Sequence, residues 1–290
     1  MNAALRNAHL RQADPLADPL FAPERPHYAT GMLLGAEDFL AEQAYHRGRL
    51  ARALAWLHGY GTLAGLRVTV QPATPATPDN PGTPEQLVVD PGLALDRLGR
   101  LIELPHPACL DLTRWLDALP ADTRTAALHP KDGADPYTGL VVDLFVRFVQ
   151  CPHALTPALA AGPFDALDAA VPARLADSYE LLLVTRAETL PPLPQNAWPD
   201  LAAIADPVAR TAAFQQAVFD LWPEGTRDLD GRGQLEPLAE HVPGQDPAGL
   251  WLARLAIPVA GDPPARAPGD IVIDNASRPF VPASARWLGR

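Results

Sequence analysis

Cysteine is nearly absent. Only Cys109 and Cys151 occur in 290 residues, far apart and without metal-ligand spacing. That argues against a disulfide-built scaffold or a zinc ribbon and points to two reduced structural thiols in a cytoplasmic protein, with a disulfide between them as the alternative. No apolar run reaches ~18 residues, so no transmembrane helix is expected. The opening MNAALRNAHLRQADPLADPL lacks the apolar core of a signal peptide, so export through the general pathway is not expected either. Basic charge is scarce: 23 Lys and Arg stand against 34 Asp and Glu, for a net charge of −11 and a pI of about 5.1. The basic residues are scattered, with no cluster denser than Arg47, Arg49 and Arg52, which excludes the basic face of a nucleic-acid binder. Also missing are a phosphate loop, a dinucleotide fingerprint, zinc spacing and a nucleophile elbow.

Proline, by contrast, is abundant. Its 34 residues are about twice the usual ~5% share and, with 20 glycines, predict long irregular connections. A GC-rich genome is the blander cause. Hydrophobic residues make up 48% of the chain, enough for a sizeable core in one large domain or two ordinary ones. Residues 1–26 read as an arm, with proline at short intervals and no period. The arm is either a loose terminus or a segment pinned on a partner through Leu20 and Phe21, whose side chains have no local core to join. Residues 71–85 (QPATPATPDNPGTPE) form a low-complexity Pro/Thr loop.

The best-patterned stretch runs from His27 to Leu104. Residues 36–58 carry one helix breaker, Gly48. Glu37 and Asp38 in the first turn and Arg47, Arg49 and Arg52 further along suit the helix dipole. At about 100° per residue, Phe39, Gln43, His46, Leu50, Leu54 and Leu57 share one side and read as a core stripe. Leu54 and Leu57 are therefore expected to be buried. Tyr45, Arg49, Arg52 and Trp56 share another side. They either widen the buried face or form a second face for a partner chain, being of the residue types that dominate contact hot spots. Gly59 suits the C-terminal cap. Strands are expected at 66–70, 87–90, 93–96 and 101–104, with Pro91-Gly92 as a turn and Arg97-Leu98-Gly99-Arg100 as a hairpin.

Further along, 111–119 reads as a short helix started by Asp111 or Thr113, and 121–137 as loop. Residues 140–149 read as a long buried strand, 152–177 as partly helical around 164–170, and 179–185 as a strand. Residues 207–222 read as a helix with Asp206 as N-cap and Phe214, Val218, Leu221 and Trp222 as its apolar side. Strands follow at 250–257 and 270–274.

Three weak chemical signals remain. His46 and His58 share a helix but lie far apart along it, which fits structural histidines better than a metal pair. Asp90 and Asp96 flank a turn, where carboxylates are ordinary, although a pair can do acid/base work. Cys151-Pro152-His153 offers a thiol and an imidazole without a visible third partner. No catalytic, cofactor-binding or metal residue is assigned, and no cofactor is expected.

A resemblance takes the reading further. Gly31-Met32-Leu33-Leu34, Glu37-Asp38-Phe39, Glu42-Gln43 and Tyr45 open it. Leu57-His58-Gly59-Tyr60-Gly61 and Gly65-Leu66-Arg67-Val68 follow, and Asp90-Pro91-Gly92-Leu93-Ala94-Leu95-Asp96 with Gly99-Arg100 close it. This pattern resembles uncharacterised proteins found with phage-tail-like contractile injection systems and their baseplates. Its opening is distantly similar to the type VI secretion baseplate adaptor and to the shoulder domain of phage receptor-binding proteins. Tyr60 stands where the commoner pattern has Trp. The resemblance implies a structural part and carries over no catalytic residue. The expected fold is α+β: a long N-terminal helix on a mainly antiparallel sheet, sandwich or barrel-like. The expected organisation is an arm at 1–26, a helix-and-sheet domain at 27–110, and a continuation at 111–290. The expected function is a non-enzymatic assembly component of a contractile particle, assembled in the cytoplasm. Its partners would be other tail or baseplate proteins or copies of itself. The alternative is a carbohydrate-binding or hydrolytic accessory protein with Asp90 and Asp96 lining a groove.

Overall fold

The computed structural model describes residues 24–77, 81–130, 137–157, 170–195, 201–220 and 235–281. It is an α+β protein built on antiparallel sheets that do not close into a barrel. Helix α1 spans Ala36–His58. At its start, the Asp38 carboxylate accepts from the Gly35 N–H at 2.9 Å, and at its end Gly59 turns the chain with φ +73°.

The strands after α1 were expected to form one small sheet. They are instead divided between two three-stranded sheets. β1 (Gly61–Gly65), β4 (Gly92–Leu95) and β5 (Leu101–Leu104) make the first. β2 (Val68–Gln71), β3 (Gln86–Val89) and β6 (Ala108–Asp111) make the second. Two of the three changes of sheet, β1 to β2 and β3 to β4, occur at one place. Leu66 adopts φ +57° between β1 and β2, and its N–H donates to the Pro91 carbonyl at the β3–β4 turn. A Cβ on Gly92 would sit 2.2 Å from the Ala64 carbonyl oxygen, so only glycine permits this crossing.

α2 (Leu112–Ala118) follows, capped by Asp111, whose side chain accepts from the Arg114 N–H. Residues 121–137, expected to be loop, contain α3 (Ala121–Ala126) and β7 (Leu128–His129). These are too short to leave a period in the sequence. β8 (Gly139–Pro157) is the axis of the largest sheet. β10 (Leu250–Ile257) pairs with β8, and β13 (Val272–Asp274) lies beyond β10. β7 and β9 (Ala170–Thr185) also pair with β8, at its start and along its length respectively. β11 (Val259–Ala260) and β12 (Ala265–Arg266) form a separate hairpin. The helix expected around 164–170 lies outside the described residues except for Ala170, and its flanks at 152–157 and 170–177 are strand, not helix. Their Pro and Ala content conceals the strands, which form a two-stranded ribbon with no further sheet neighbour among the described residues to demand alternation.

One core joins the three main sheets. Leu66, Val68, Leu87 and Val89 pack with Ile102, Leu104, Leu112 and Leu116, and with Leu140, Val142, Leu144, Val146, Leu252 and Leu255. Each fully buried aliphatic side chain contributes roughly 1.5–3 kcal/mol, so this core dominates the stability. The end of the described chain locks onto it. Val281 N–H donates to the Thr62 carbonyl, and the Asn275 amide pairs with both backbone groups of Val68. Arg278 donates to the Leu66 carbonyl from a buried position, where desolvation pulls its pKa down to about 10.

Helix α1 departs most from expectation. Its buried residues are Ala44 and Ala51, with Ala41, Gly48 and Ala55 half-buried beside them. The face that meets the body is therefore made of small residues. It packs so closely that a Cβ on Gly99, in the β4–β5 hairpin, would fall 1.9 Å from the Ala51 carbonyl oxygen. The expected core stripe points away. Phe39 is 50% exposed, Leu50 62% and Leu57 76%, while Leu54 is half-buried. Side-chain size misassigned the face, because close backbone approach needs Ala and Gly rather than Leu.

Candidate functional site

The sequence-selected polar residues turn out to be structural or dispersed. Asp96 is wholly buried. One of its carboxylate oxygens accepts from the N–H groups of Leu98 and Arg100, and the other accepts from the Arg100 guanidinium at 2.6 Å. Burial pushes its pKa up while Arg100 opposes the shift. Arg100 in turn lies over the Phe148 ring, 4.8 Å from its centroid. The Asp96 carboxylate thus ties the hairpin together and presents no oxygen to a solvent groove. Cys151 and His153 lie on an exposed part of β8, paired with Ala176 and Arg174. Cys109 is exposed on β6. His46 and His58 are exposed at different levels of α1. Among the described residues no cluster of three His, Cys, Asp or Glu could hold a metal ion.

The densest polar group is one the motif search missed. Asp143, near the start of β8 where the strand is paired on both sides, is fully buried, and so are Arg186 and Arg254. Arg254 donates to both Asp143 oxygens, at 2.7 and 2.9 Å, and Arg186 donates to one of them at 2.9 Å. Asp143 and Arg254 face each other across the β8–β10 ladder. Further guanidinium donors reach backbone carbonyls. Arg186 reaches the Glu240 carbonyl, and Arg254 reaches those of Pro191 and Pro192. Glu188 accepts from Arg186 at the solvent edge. Tyr137 stacks beneath Arg254 and donates to Asp274, and burial together with that carboxylate raises its pKa to about 12. The cluster pins irregular, proline-rich segments onto the sheet. One sequence signal could have exposed it: an Asp inside the apolar run LVVDLFVRFV must be paired, because burying a lone carboxylate costs too much.

His241 is held in the same spirit. Its ring stacks on Phe145. Its Nδ1 accepts from the Leu238 N–H, so Nε2 carries the proton and faces the Gly249 carbonyl at 2.9 Å. Burial lowers its pKa, which matches this neutral form.

What the described surface does offer is apolar area and extended backbone. Met32, Leu33 and Leu34 lead into α1 exposed, Leu33 at 93%, and the Phe39, Leu50 and Leu57 stripe continues them. The contact face expected from sequence lies on the flank of α1. There Tyr45, Arg52 and Trp56 are half-buried and Arg49 is exposed, its guanidinium 5.5 Å from the Tyr45 ring centroid. Leu20 and Phe21 lie outside the described residues. Beyond Gln150, β8 and β9 continue as a ribbon with Leu155 and Leu175 exposed. Helix α4 (Pro207–Asp220), capped by Asp206 as expected, leaves Val208, Phe214, Val218 and Phe219 exposed, the last at 76%. Its expected apolar side is thus at the surface as far as Val218, while Leu221 and Trp222 lie outside the described residues. Among the described residues no helix is long and apolar enough to cross a membrane. Neither the protein-family models nor the curated proteins searched contain a match to this chain.

Proposed function

We propose that this chain is a non-enzymatic assembly component of a contractile, phage-tail-like injection particle, seated at the baseplate or another tail end. The resemblance of residues 28–104 supplies the class of particle. The observation that carries the structural role is the outward stripe of α1: large apolar side chains face solvent while the side that meets the body is Ala and Gly. Several large apolar side chains exposed along one side of a helix support a contact surface there. The ribbon and α4 add two more such surfaces. The buried charges, by contrast, are engaged in holding loops to the sheet. The chain assembles in the cytoplasm with other tail or baseplate proteins, and no nucleic acid or cofactor takes part.

Mass spectrometry of purified intact particles tests the assignment. The chain should be present at a fixed ratio to the sheath protein, and its consistent absence sinks the proposal. Deletion of residues 1–26 tests the arm. The truncated chain should keep its melting temperature and lose incorporation; normal incorporation would show that the arm makes no required contact.

A further inference from the structure

Helix α1 exposes residues at two heptad positions, and Phe39, Leu50 and Leu57 are the large apolar ones among them. Ala36, Gln43, Leu50 and Leu57 fall at one heptad position, and Phe39, His46 and Ala53 at the position three residues later. Every one of these residues is exposed. The residues that meet the body, Ala44, Gly48, Ala51 and Ala55, occupy other heptad positions on the far side. These two heptad positions are the places at which one helix can meet another along a seam.

We infer that this stripe is the seam of a parallel homo-oligomer, covered by α1 of further copies of the same chain. Two observations select a second copy as the occupant. First, one pair of charges flanking the seam is self-complementary. In a parallel, in-register coil the residue preceding one heptad position faces the residue five further along the neighbouring helix. Glu42 and Arg47 stand in that relation, so each Glu42 carboxylate, which accepts from the Tyr28 hydroxyl at 2.6 Å in its own chain, also meets an Arg47 guanidinium of the adjoining copy. Second, the middle of the seam is polar. Gln43 and His46 are poor guests in a heterologous apolar groove. In a symmetric coil each meets its own equivalent across the axis, an amide with an amide and an imidazole with an imidazole, and one polar layer of this kind sets register. Leu40, 64% exposed, and half-buried Leu54 widen the seam on the Arg47 side. The body does not obstruct this arrangement at the seam itself, since it sits against the opposite side of the helix. The inference rests on the reading of α1 as a contact surface and not on which particle the chain joins.

Sedimentation equilibrium of the full chain from 1 to 100 μM tests it. The expected mass is two or three times 31.0 kDa. Leu50→Glu should return the mass to one chain with an unchanged circular dichroism spectrum, because Leu50 makes no part of the body's core. Glu42→Arg should weaken association at least tenfold, and the double exchange Glu42→Arg/Arg47→Glu should restore it. In a background lacking Cys109 and Cys151, Leu57→Cys should form an interchain disulfide on mild oxidation. That bond is available only if the helix ends lie side by side. A chain that stays monomeric to 100 μM overturns the inference. So does association that survives Leu50→Glu, which would place the contact elsewhere. A monomer that begins to associate only when residues 1–26 are removed also overturns it, since the chain's own arm would then cover the stripe. Particle incorporation is scored separately: an oligomer absent from particles sinks the proposed function and leaves the seam standing.

Discussion

The centre of the large sheet and the outer side of α1 depart from ordinary residue placement in opposite directions. Around Asp143, charges sit where leucines are usual. Along α1, leucines sit where charges are usual. The first departure is complete within the chain: the Asp143 oxygens accept from both guanidinium groups, and those groups hold the carbonyls of Glu240, Pro191 and Pro192. The second has no completion among the described residues. A buried charge with all its partners present is architecture, whereas an exposed apolar stripe is an interaction awaiting its other half.

The largest expected effect comes from breaking the closed side of this comparison. Asp143→Ala strands two buried guanidinium groups and should cost about 3–5 kcal/mol in denaturant unfolding. Replacing Asp143, Arg186 and Arg254 together with Leu, Met and Met should cost less than the single change, because no uncompensated charge is left buried. If the triple variant is the less stable one, the cluster contributes net stability rather than loop placement.

Gly99→Ala comes next and acts on the junction of the two regions. The position has φ +79° and touches the Ala51 carbonyl, so the substitution should cost about 1–3 kcal/mol. Hydrogen exchange should locate the loss in residues 41–55, with protection of β8 and β10 unchanged. Smaller still is the contrast between the two sides of α1. Ala51→Leu overpacks the docked side and should cost about 1–3 kcal/mol. Leu57→Ala removes a far larger side chain and should cost less than about 0.5 kcal/mol of the subunit's own stability, measured at submicromolar concentration. A reversed order would mean that α1 docks by its leucines.

The smallest effect is a pH dependence. Burial holds the His241 pKa below its ordinary value of 6.5. The unfolded chain therefore binds this proton more readily than the folded one, and stability falls as pH drops through about 6.5. Thermal scans between pH 7.5 and 5.5 should show a shallower decline for His241→Gln than for the parent chain. Equal slopes would mean that His241 does not contribute.

Local signals were legible wherever they were complete within a few residues. Asp111 and Asp206 cap their helices, strands 101–104 and 250–257 fall where expected, and the Pro91-Gly92 turn is present. What escaped was long-range. Whether β1 pairs with β2 or with β4 depends on the crossing at Leu66 and Gly92, which no local period reports. The choice between the two sides of α1 was decided by Gly99, more than forty residues beyond the residue it accommodates near the middle of the helix. Strand pairing along 170–177 comes from a ladder with 150–157, and proline-rich composition conceals it. Of the contact face expected at Tyr45, Arg49, Arg52 and Trp56, Arg49 is exposed and the other three are half-buried. Their half-burial, and the exposure of the stripe beside them, could only follow from knowing which neighbour α1 meets.

Strand β8 belongs to two structures at once. Its first half is woven into the core beside β10, and its second half, 151–157, stands out with β9 as a ribbon roughly 23 Å long at about 3.3 Å per residue. There is no hinge of separate chain between them. A load applied at the ribbon's far end runs along unbroken backbone into the sheet, where the ladder to β9 resists it in shear and the Asp143–Arg254 crosslink anchors it to β10. The ribbon is therefore rooted inside the core, and a load on its described end at Pro157 and Ala170 would be carried toward the loops held at Pro191 and Glu240.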